Sequence, residues 1–320
     1  MKLSFVIPCY RSFATIEDVC DEIISVVTTR KDYDYEIITI NDCSPDNVME
    51  KLTELAGANS KIKVIDLAKN MGKHCALMAG FRYASGDYVI CGVESALYEA
   101  GAAVPSTFSR TRNKNIIIAL DAGHDVAMAQ YGVKAQSKFK NFGSWMNSWM
   151  METFLQKPSD FQFANFAAMK AFVIKEITKY NHPYAYINGL LLRTTKNMVN
   201  VPMQERERTV GVGGYTLKKS LALWINGITA FSVAPLRFAS YLGVGSAVLG
   251  VLMALYVIIR KIIHPEIFAG WTSIMACLLL LGGIILVVLG LIGEYIGRIY
   301  ICINEAPQYV IRSTQNLAED

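Results

Sequence analysis

The chain has 320 residues, 52% of them hydrophobic and 18% charged, with a formal net charge of +4 at pH 7. That charge is too small to argue for nucleic acid, and no basic run interleaved with aromatics is present, so a nucleic-acid partner is not expected. The seven cysteines (Cys9, Cys20, Cys43, Cys75, Cys91, Cys277 and Cys302) are scattered and odd in number. They form no Cys-x-x-Cys pair, which argues against a metal-ligand cluster or a disulfide framework and for buried thiols in a reducing compartment. Residues 1–8 hold one Lys and a short apolar run, without a secretory core or a small-residue cleavage site.

In chain order, residues 3–7 predict a buried strand that ends in Pro8-Cys9-Tyr10. Residues 16–27 have helical apolar spacing, with Glu17 and Asp18 near the start. A second strand over 35–40 runs into Asn41-Asp42-Cys43-Ser44-Pro45-Asp46, where Ser44 or Asp46 could cap the next helix. A strand over 62–67, a helix over 73–84 and a strand over 88–91 follow, with a later strand at 126–131 and a helix at 145–155. Strands alternating with helices predict an α/β fold with a mostly parallel, doubly wound, Rossmann-like sheet. Ligands of such sheets sit beyond the carboxyl ends of the strands, which gathers residues 8–12, 41–46 and those after Cys91 around one crevice.

Residues 221–238 mix Trp, Phe and Leu with few charges, and Pro235 interrupts them; an interfacial helix and an ordinary core helix both fit. Residues 241–259 and 274–292 are two runs of 19 residues without a charge. At about 1.5 Å per residue, each run with its flanks crosses a hydrocarbon core of roughly 30 Å. The expected organisation is a head over 1–217, with 92–119 atypical, then an interfacial segment over 218–240, a transmembrane hairpin over 241–300 and a tail over 301–320. Lys218, Lys219, Arg237, Arg298 and Arg312 flank the hairpin outside, against Arg260 and Lys261 in its connecting loop. That bias predicts a cell-membrane protein with two spans and its head on the cytoplasmic side.

The motifs now in view resemble family 2 glycosyltransferases of the GT-A fold, in the branch that loads sugars onto polyprenyl phosphate. The matching stretches are Phe5-Val6-Ile7-Pro8-Cys9-Tyr10, Ile40 to Asp46, Asn70-Met71-Gly72-Lys73-His74, Ala79-Gly80 and Gly86-Asp87. Later come Arg206-x-Arg208-x-x-Gly211 with Gly214-Tyr215, and Gly293-Glu294-Tyr295-Ile296-Gly297-Arg298 after the second run. Their order and spacing, over nearly the whole chain, carry the resemblance.

The resemblance implies a nucleotide-sugar donor, expected to be UDP-linked, a polyprenyl-phosphate acceptor, a membrane location and a homo-oligomer. It implies inverting sugar transfer for cell-envelope glycan assembly or modification. It places Pro8, Tyr10 and Asp42 in the donor pocket, although Asp42 could also be a turn residue. It places Lys73 and His74 on a loop over the nucleotide or sugar, where a solvated helix start would look similar. Arg206 and Arg208 are expected to bind phosphate groups, for which guanidinium forks suit, or to be flanking positive charges. Relatives carry a Ser two residues after Gly211, where this chain has Gly213.

One expected feature is missing. The family places an Asp-x-Asp loop directly after the fourth strand, to hold Mg²⁺ or Mn²⁺ on the diphosphate. Here Cys91 is followed by residues whose acids are Glu94 and Glu99 alone up to Gly101, and Glu94 is the single candidate ligand. The chain's one literal Asp-x-Asp, Asp32-Tyr33-Asp34, precedes a strand and so lies at the wrong end of the sheet. Asp121 and Asp125 resemble the turn that follows the acidic loop in relatives. Residues 92–119 are therefore expected to be a local replacement, such as a compensated frameshift, and poorly packed. A catalytically impaired homologue, acting as a non-enzymatic membrane protein, is the alternative to an active transferase.

Overall fold

The computed structural model describes residues 1–29, 32–92, 112–131, 151–153, 157–183, 185–203, 234–263, 270–304 and 307–317. The chain divides into two compact units, one of Met1–Tyr215 with Ala306–Asp320 and one of Thr216–Glu305.

The first unit is built on an eight-stranded sheet. Its strands are β1 (Lys2–Cys9), β2 (Asp34–Asn41), β3 (Ile62–Leu67), β4 (Tyr88–Gly92), β5 (Val126–Tyr131), β6 (Phe166–Lys170), β7 (Met198–Met203) and β8 (Ile311–Gln315). Their order is β7-β5-β6-β4-β1-β2-β3-β8. The central pairs β1·β2, β1·β4 and β2·β3 are parallel, as is β5·β7. Strand β6 runs antiparallel to β4 and β5, and β8 antiparallel to β3. The expected Rossmann-like sheet is thus a GT-A-like mixed sheet with a parallel centre. The order in which strands are added reverses at β1, since β2 and β3 lie on one side of it and β4 on the other. That switch point opens the crevice in which ligands of open α/β sheets bind.

The central strands are nearly continuous runs of apolar, mostly β-branched residues because both faces are covered. Helix α1 (Ile16–Thr28) buries Ile16, Val19, Cys20, Ile23 and Val27, one helical stripe, against the sheet. Helix α2 (Val48–Ala58) does the same with Val48, Leu52 and Ala56. Helix α3 (Lys73–Arg82) lies close over the centre, because a methyl at Gly80 would collide with Val6 Cγ1 and Ile40 Cδ1. Its amino end therefore sits at the carboxyl ends of β1 and β2.

Two expectations need correction, and a third holds in part. The residue directly before α2 is Asn47, whose side chain makes no cap bond; the Asp46 carboxylate, one residue further back, takes the Val48 N–H at the start of the helix. The segment expected to be poorly packed is well packed at its carboxyl end. There, helix α4 (Arg112–Asp121) buries Ile116, Ile117 and Leu120 in the core. Residues 93–111 lie outside the described residues. The expected tail is partly a strand: β8 extends the head's sheet. Sequence reasoning also missed β6, β7, α5 (Ala171–Ile177) and α6 (Ile187–Thr194).

The second unit contains α7 (Ala234–Ile263) and α8 (Trp271–Ile303), of 30 and 33 residues. Pro235 is the second residue of α7, where its missing N–H costs nothing. Both are candidate membrane helices, with the most apolar stretches at Ala239–Arg260 and Leu280–Ile303. The second of these lies further along the chain than the uncharged run suggests. Their large apolar side chains are exposed, among them Leu249, Leu252, Leu286 and Val287.

Candidate functional site

Strand β1 delivers Pro8 and Tyr10 to the switch point, and β2 delivers Asn41 and Asp42 beside them. The two loops are joined directly, since the Asp42 N–H donates to the Cys9 carbonyl at 3.1 Å. Pro8 is buried and pairs with Ile40 across the two strands. Tyr10 is 47% exposed, with the Arg11 guanidinium 5.7 Å from its ring centroid. An aromatic face held at the mouth of a crevice suits stacking by a nucleobase.

Asp42 is only 4% exposed. Its Oδ1 accepts the Met71 N–H at 2.7 Å and its Oδ2 the Gly72 N–H at 2.9 Å. Asn70 Nδ2 also donates to its carbonyl at 3.1 Å. Burial raises the Asp42 pKa above the ordinary carboxylate range, and the two N–H groups offset only part of that. Among the described residues no cation pairs with it. A carboxylate kept buried without a counter-ion favours function over turn-capping.

Two loop residues hold left-handed backbone that non-glycine residues rarely adopt: Arg11 at φ 59° and Cys43 at φ 48°. A lattice of side-chain bonds holds them there. Ser44 Oγ accepts the Arg11 N–H at 2.7 Å and donates to Asp46 Oδ1 at 2.5 Å. Asp46 Oδ2 accepts the Phe13 N–H at 3.0 Å, and Asn41 Oδ1 the Ser44 N–H at 3.0 Å. Asn41 Nδ2 donates to Asp66 Oδ1 at 2.7 Å, and Asp66 Oδ2 pairs with Arg312 on β8 at 3.2 Å. Ser44 and Asp46 thus lace the two loops together at the start of α2.

Lys73 opens α3, directly after Gly72 at φ +80°. Its Nζ donates to Asn165 Oδ1 at 2.7 Å, and Asn165 precedes β6 beside the carboxyl end of β4. Burial lowers the Lys73 pKa, and the nearby Cys91 thiol opposes that only slightly. Burial pushes the Cys91 thiol up to about 11, so it stays neutral. His74 packs edge-on against Tyr186 at 5.4 Å between ring centroids. Burial, with Lys73 adding repulsion, pushes His74 down to about 4, so it too is neutral near pH 7.

The structure therefore brings Pro8, Tyr10, Asp42 and Lys73 to one crevice. Glu94, Arg206 and Arg208 lie outside the described residues. Asp32-Tyr33-Asp34 sits at the amino end of β2, where Asp34 pairs with Lys61 at 2.6 Å. Asp121 accepts the Tyr88 hydroxyl and Asp125 pairs with Lys170, both as parts of the scaffold. Asn165 and the Asn41–Asp66–Arg312 chain were missed, because isolated polar residues at strand ends carry no spacing signal.

The family resemblance implies a divalent ion, and the described residues do not fit one. Among them, no group of three or more His, Cys, Asp or Glu could hold a metal ion. The described groups at the carboxyl end of β4 are a neutral thiol, which is a poor ligand while protonated, and an ammonium, which repels a cation.

Residues 4–91 match the model of "Glycosyl transferase family 2", and residues 234–299 that of the "GtrB C-terminal hairpin". The chain thus carries a family 2 glycosyltransferase domain on a GT-A-like sheet, followed by a GtrB-type hairpin. Along its length it is similar to an uncharacterized glycosyltransferase of Bacillus subtilis, YkcC, at 28% identity over 99% of this chain and 95% of that protein. It is 27% identical to a prophage-derived bactoprenol glucosyl transferase of Shigella flexneri, over 98% of each chain. It is also 27% identical to the undecaprenyl-phosphate 4-deoxy-4-formamido-L-arabinose transferase of Proteus mirabilis, over 97% of this chain and 93% of that one.

Proposed function

We propose that this protein transfers a sugar from a nucleotide-linked donor, UDP-linked in our reading, to a polyprenyl phosphate at the cytoplasmic face of the membrane. The observation that carries the proposal is the Asp42 crevice: a buried carboxylate, paired with no cation among the described residues, at the sheet's switch point beside an exposed Tyr10 ring. Asp42 and Tyr10 hold the base and ribose, and the donor's diphosphate runs toward Lys73. The names of the similar transferases support the acceptor class, and Arg206 and Arg208, just before the hairpin in sequence, suit its phosphate.

The acceptor needs little activation. A phosphate monoester carries close to two negative charges near neutral pH, its second pKa being about 6. One of its oxygens attacks the anomeric carbon from the face opposite the nucleoside diphosphate. The new C–O bond forms as the old one breaks, the diphosphate leaves with the electron pair, and configuration inverts. Pairing of β8 with β3 in the head's sheet supports a hairpin that leaves and returns on one side of the membrane. The flanking positive charges support the cytoplasmic side.

A second reading rests on the residues after Cys91, which lack paired aspartates. In it the chain binds nucleotide and lipid but does not turn over. Purified protein in detergent, undecaprenyl phosphate and a panel of radiolabelled UDP-sugars decide between the two. Labelled lipid product establishes the transferase. No product, alongside activity in a variant with Asp-x-Asp restored after Cys91, establishes the second reading.

A further inference from the structure

We propose that the Lys73 ammonium, held in place by Asn165, binds the diphosphate of the nucleotide in place of a divalent ion. The inference rests on the nucleotide crevice assigned above and holds whether or not the chain turns over. Its first support is position. Lys73 follows Gly72, whose N–H is bonded to Asp42, and its Nζ reaches Asn165 beside the end of β4. It thus spans the switch point, from the carboxylate of the ribose pocket to the strand after which the acidic loop is expected.

Its second support is charge. Lys73 bonds a neutral amide, and among the described residues no carboxylate reaches it. Among those residues its positive charge is uncompensated, and its partial burial makes that costly until an anion arrives. The flanking His74 and Cys91 are neutral, so of these three described side chains the ammonium alone is charged. The first N–H groups of α3 add the positive end of a helix dipole in the same place. The third support is the sequence, in which the ten residues from Gly92 to Gly101 hold no aspartate.

Asn165 is a positioning residue. Its amide oxygen fixes the ammonium without neutralising it. An aspartate there would fix it equally well and cancel its charge.

Calorimetric titration of UMP and UDP into the full-length protein in detergent tests this, first in EDTA and then in MgCl₂. The expected result is UDP binding about tenfold tighter than UMP in EDTA, as one charge-assisted contact gives, with the ratio unchanged by Mg²⁺. Lys73→Ala is expected to bring the ratio close to one while UMP binding persists. Asn165→Asp is expected to do nearly the same, and Asn165→Gln to retain most of the ratio. The inference is overturned if UDP exceeds UMP only when Mg²⁺ is present, or if both Lys73→Ala and Asn165→Asp keep the wild-type ratio. If folded wild-type protein binds neither nucleotide, the crevice itself is misassigned and the inference falls with it. A Lys73→Ala chain that fails to fold leaves Asn165→Asp to decide alone.

Discussion

Strand β2 carries a buried carboxylate near each end, Glu36 and Asp42, exposed by 2% and 4%. Glu36 is surrounded by partners: Lys2 and Lys63 at 2.9 and 2.8 Å, the Ser4 hydroxyl at 2.5 Å and the Ser85 N–H at 2.7 Å. Burial pushes its pKa up, but these groups more than reverse that and bring it to about 2. Asp42 has two backbone N–H groups and, among the described residues, no cation, and burial leaves its pKa raised. One strand in one sheet thus shows two designs. The amino end neutralises its carboxylate to hold β1, β2, β3 and the turn before β4 together. The carboxyl end leaves its carboxylate short of partners, which suits a group that awaits a ligand.

The largest effect expected from this contrast comes from Glu36→Ala. Removing one partner from a buried pair leaves two ammonium groups facing a cavity, at a cost of about 3 kcal/mol. Urea unfolding in detergent measures it, and a change below 1 kcal/mol would break the comparison. The pH dependence follows the same logic. The folded pKa of Glu36, about 2, lies below the ordinary glutamate value of 4.5. Its contribution is therefore complete above pH 4.5 and lost as pH falls toward 2. At roughly 1.4 kcal/mol per pKa unit the loss is on the order of 3 kcal/mol, and Glu36→Gln should flatten that part of the profile.

Gly86→Ala tests the same end by shape. A methyl there would lie 2.7 Å from Ser4 Oγ and 2.8 Å from the Lys2 carbonyl. Backbone must shift, at a cost of about 2 kcal/mol in the same unfolding experiment. At the other end, Asp42→Asn should weaken UMP binding by about tenfold, near 1.4 kcal/mol, by placing an amide N–H against a backbone N–H. Folding stability at neutral pH should barely fall, because the substitution also removes a buried charge. A collapse in stability with intact UMP affinity would reverse the assignment of the two ends. The smallest effect belongs to Arg312→Gln. The Arg312 side chain is 57% exposed, so its pair with Asp66 should contribute under about 1 kcal/mol.

The sequence made the centre of the head legible. Buried runs such as residues 35–40 and 62–67 announce strands, and the stripe of Ile16, Val19, Ile23 and Val27 announces α1. The shared position of Pro8, Tyr10 and Asp42 was legible because they end or directly follow such runs, at the carboxyl ends of the strands. The antiparallel half was harder. Strand β6, Phe-Ala-Ala-Met-Lys, has neither β-branched residues nor a sharp alternation, and its place beside β4 is set by long-range pairing. Strand β8, Ile-Arg-Ser-Thr-Gln, is mostly polar because it is an exposed edge, so local patterning gives a tail. Helix α4 was obscured by its basic start, Arg112-Asn113-Lys114. The core nonetheless takes up Ile116, Ile117 and Leu120.

Strand β8 also imposes an order of events. It follows the hairpin in the chain, yet it pairs with β3, which precedes the hairpin by about 170 residues. A ribosome has therefore made both apolar helices before the strand that covers β3 exists. Until then β3 presents an open edge, and Asp66, which steadies Asn41 at the switch point, lacks Arg312. The strand is thus added to the head only once both candidate membrane helices have been synthesised, so the head is completed after its own anchor.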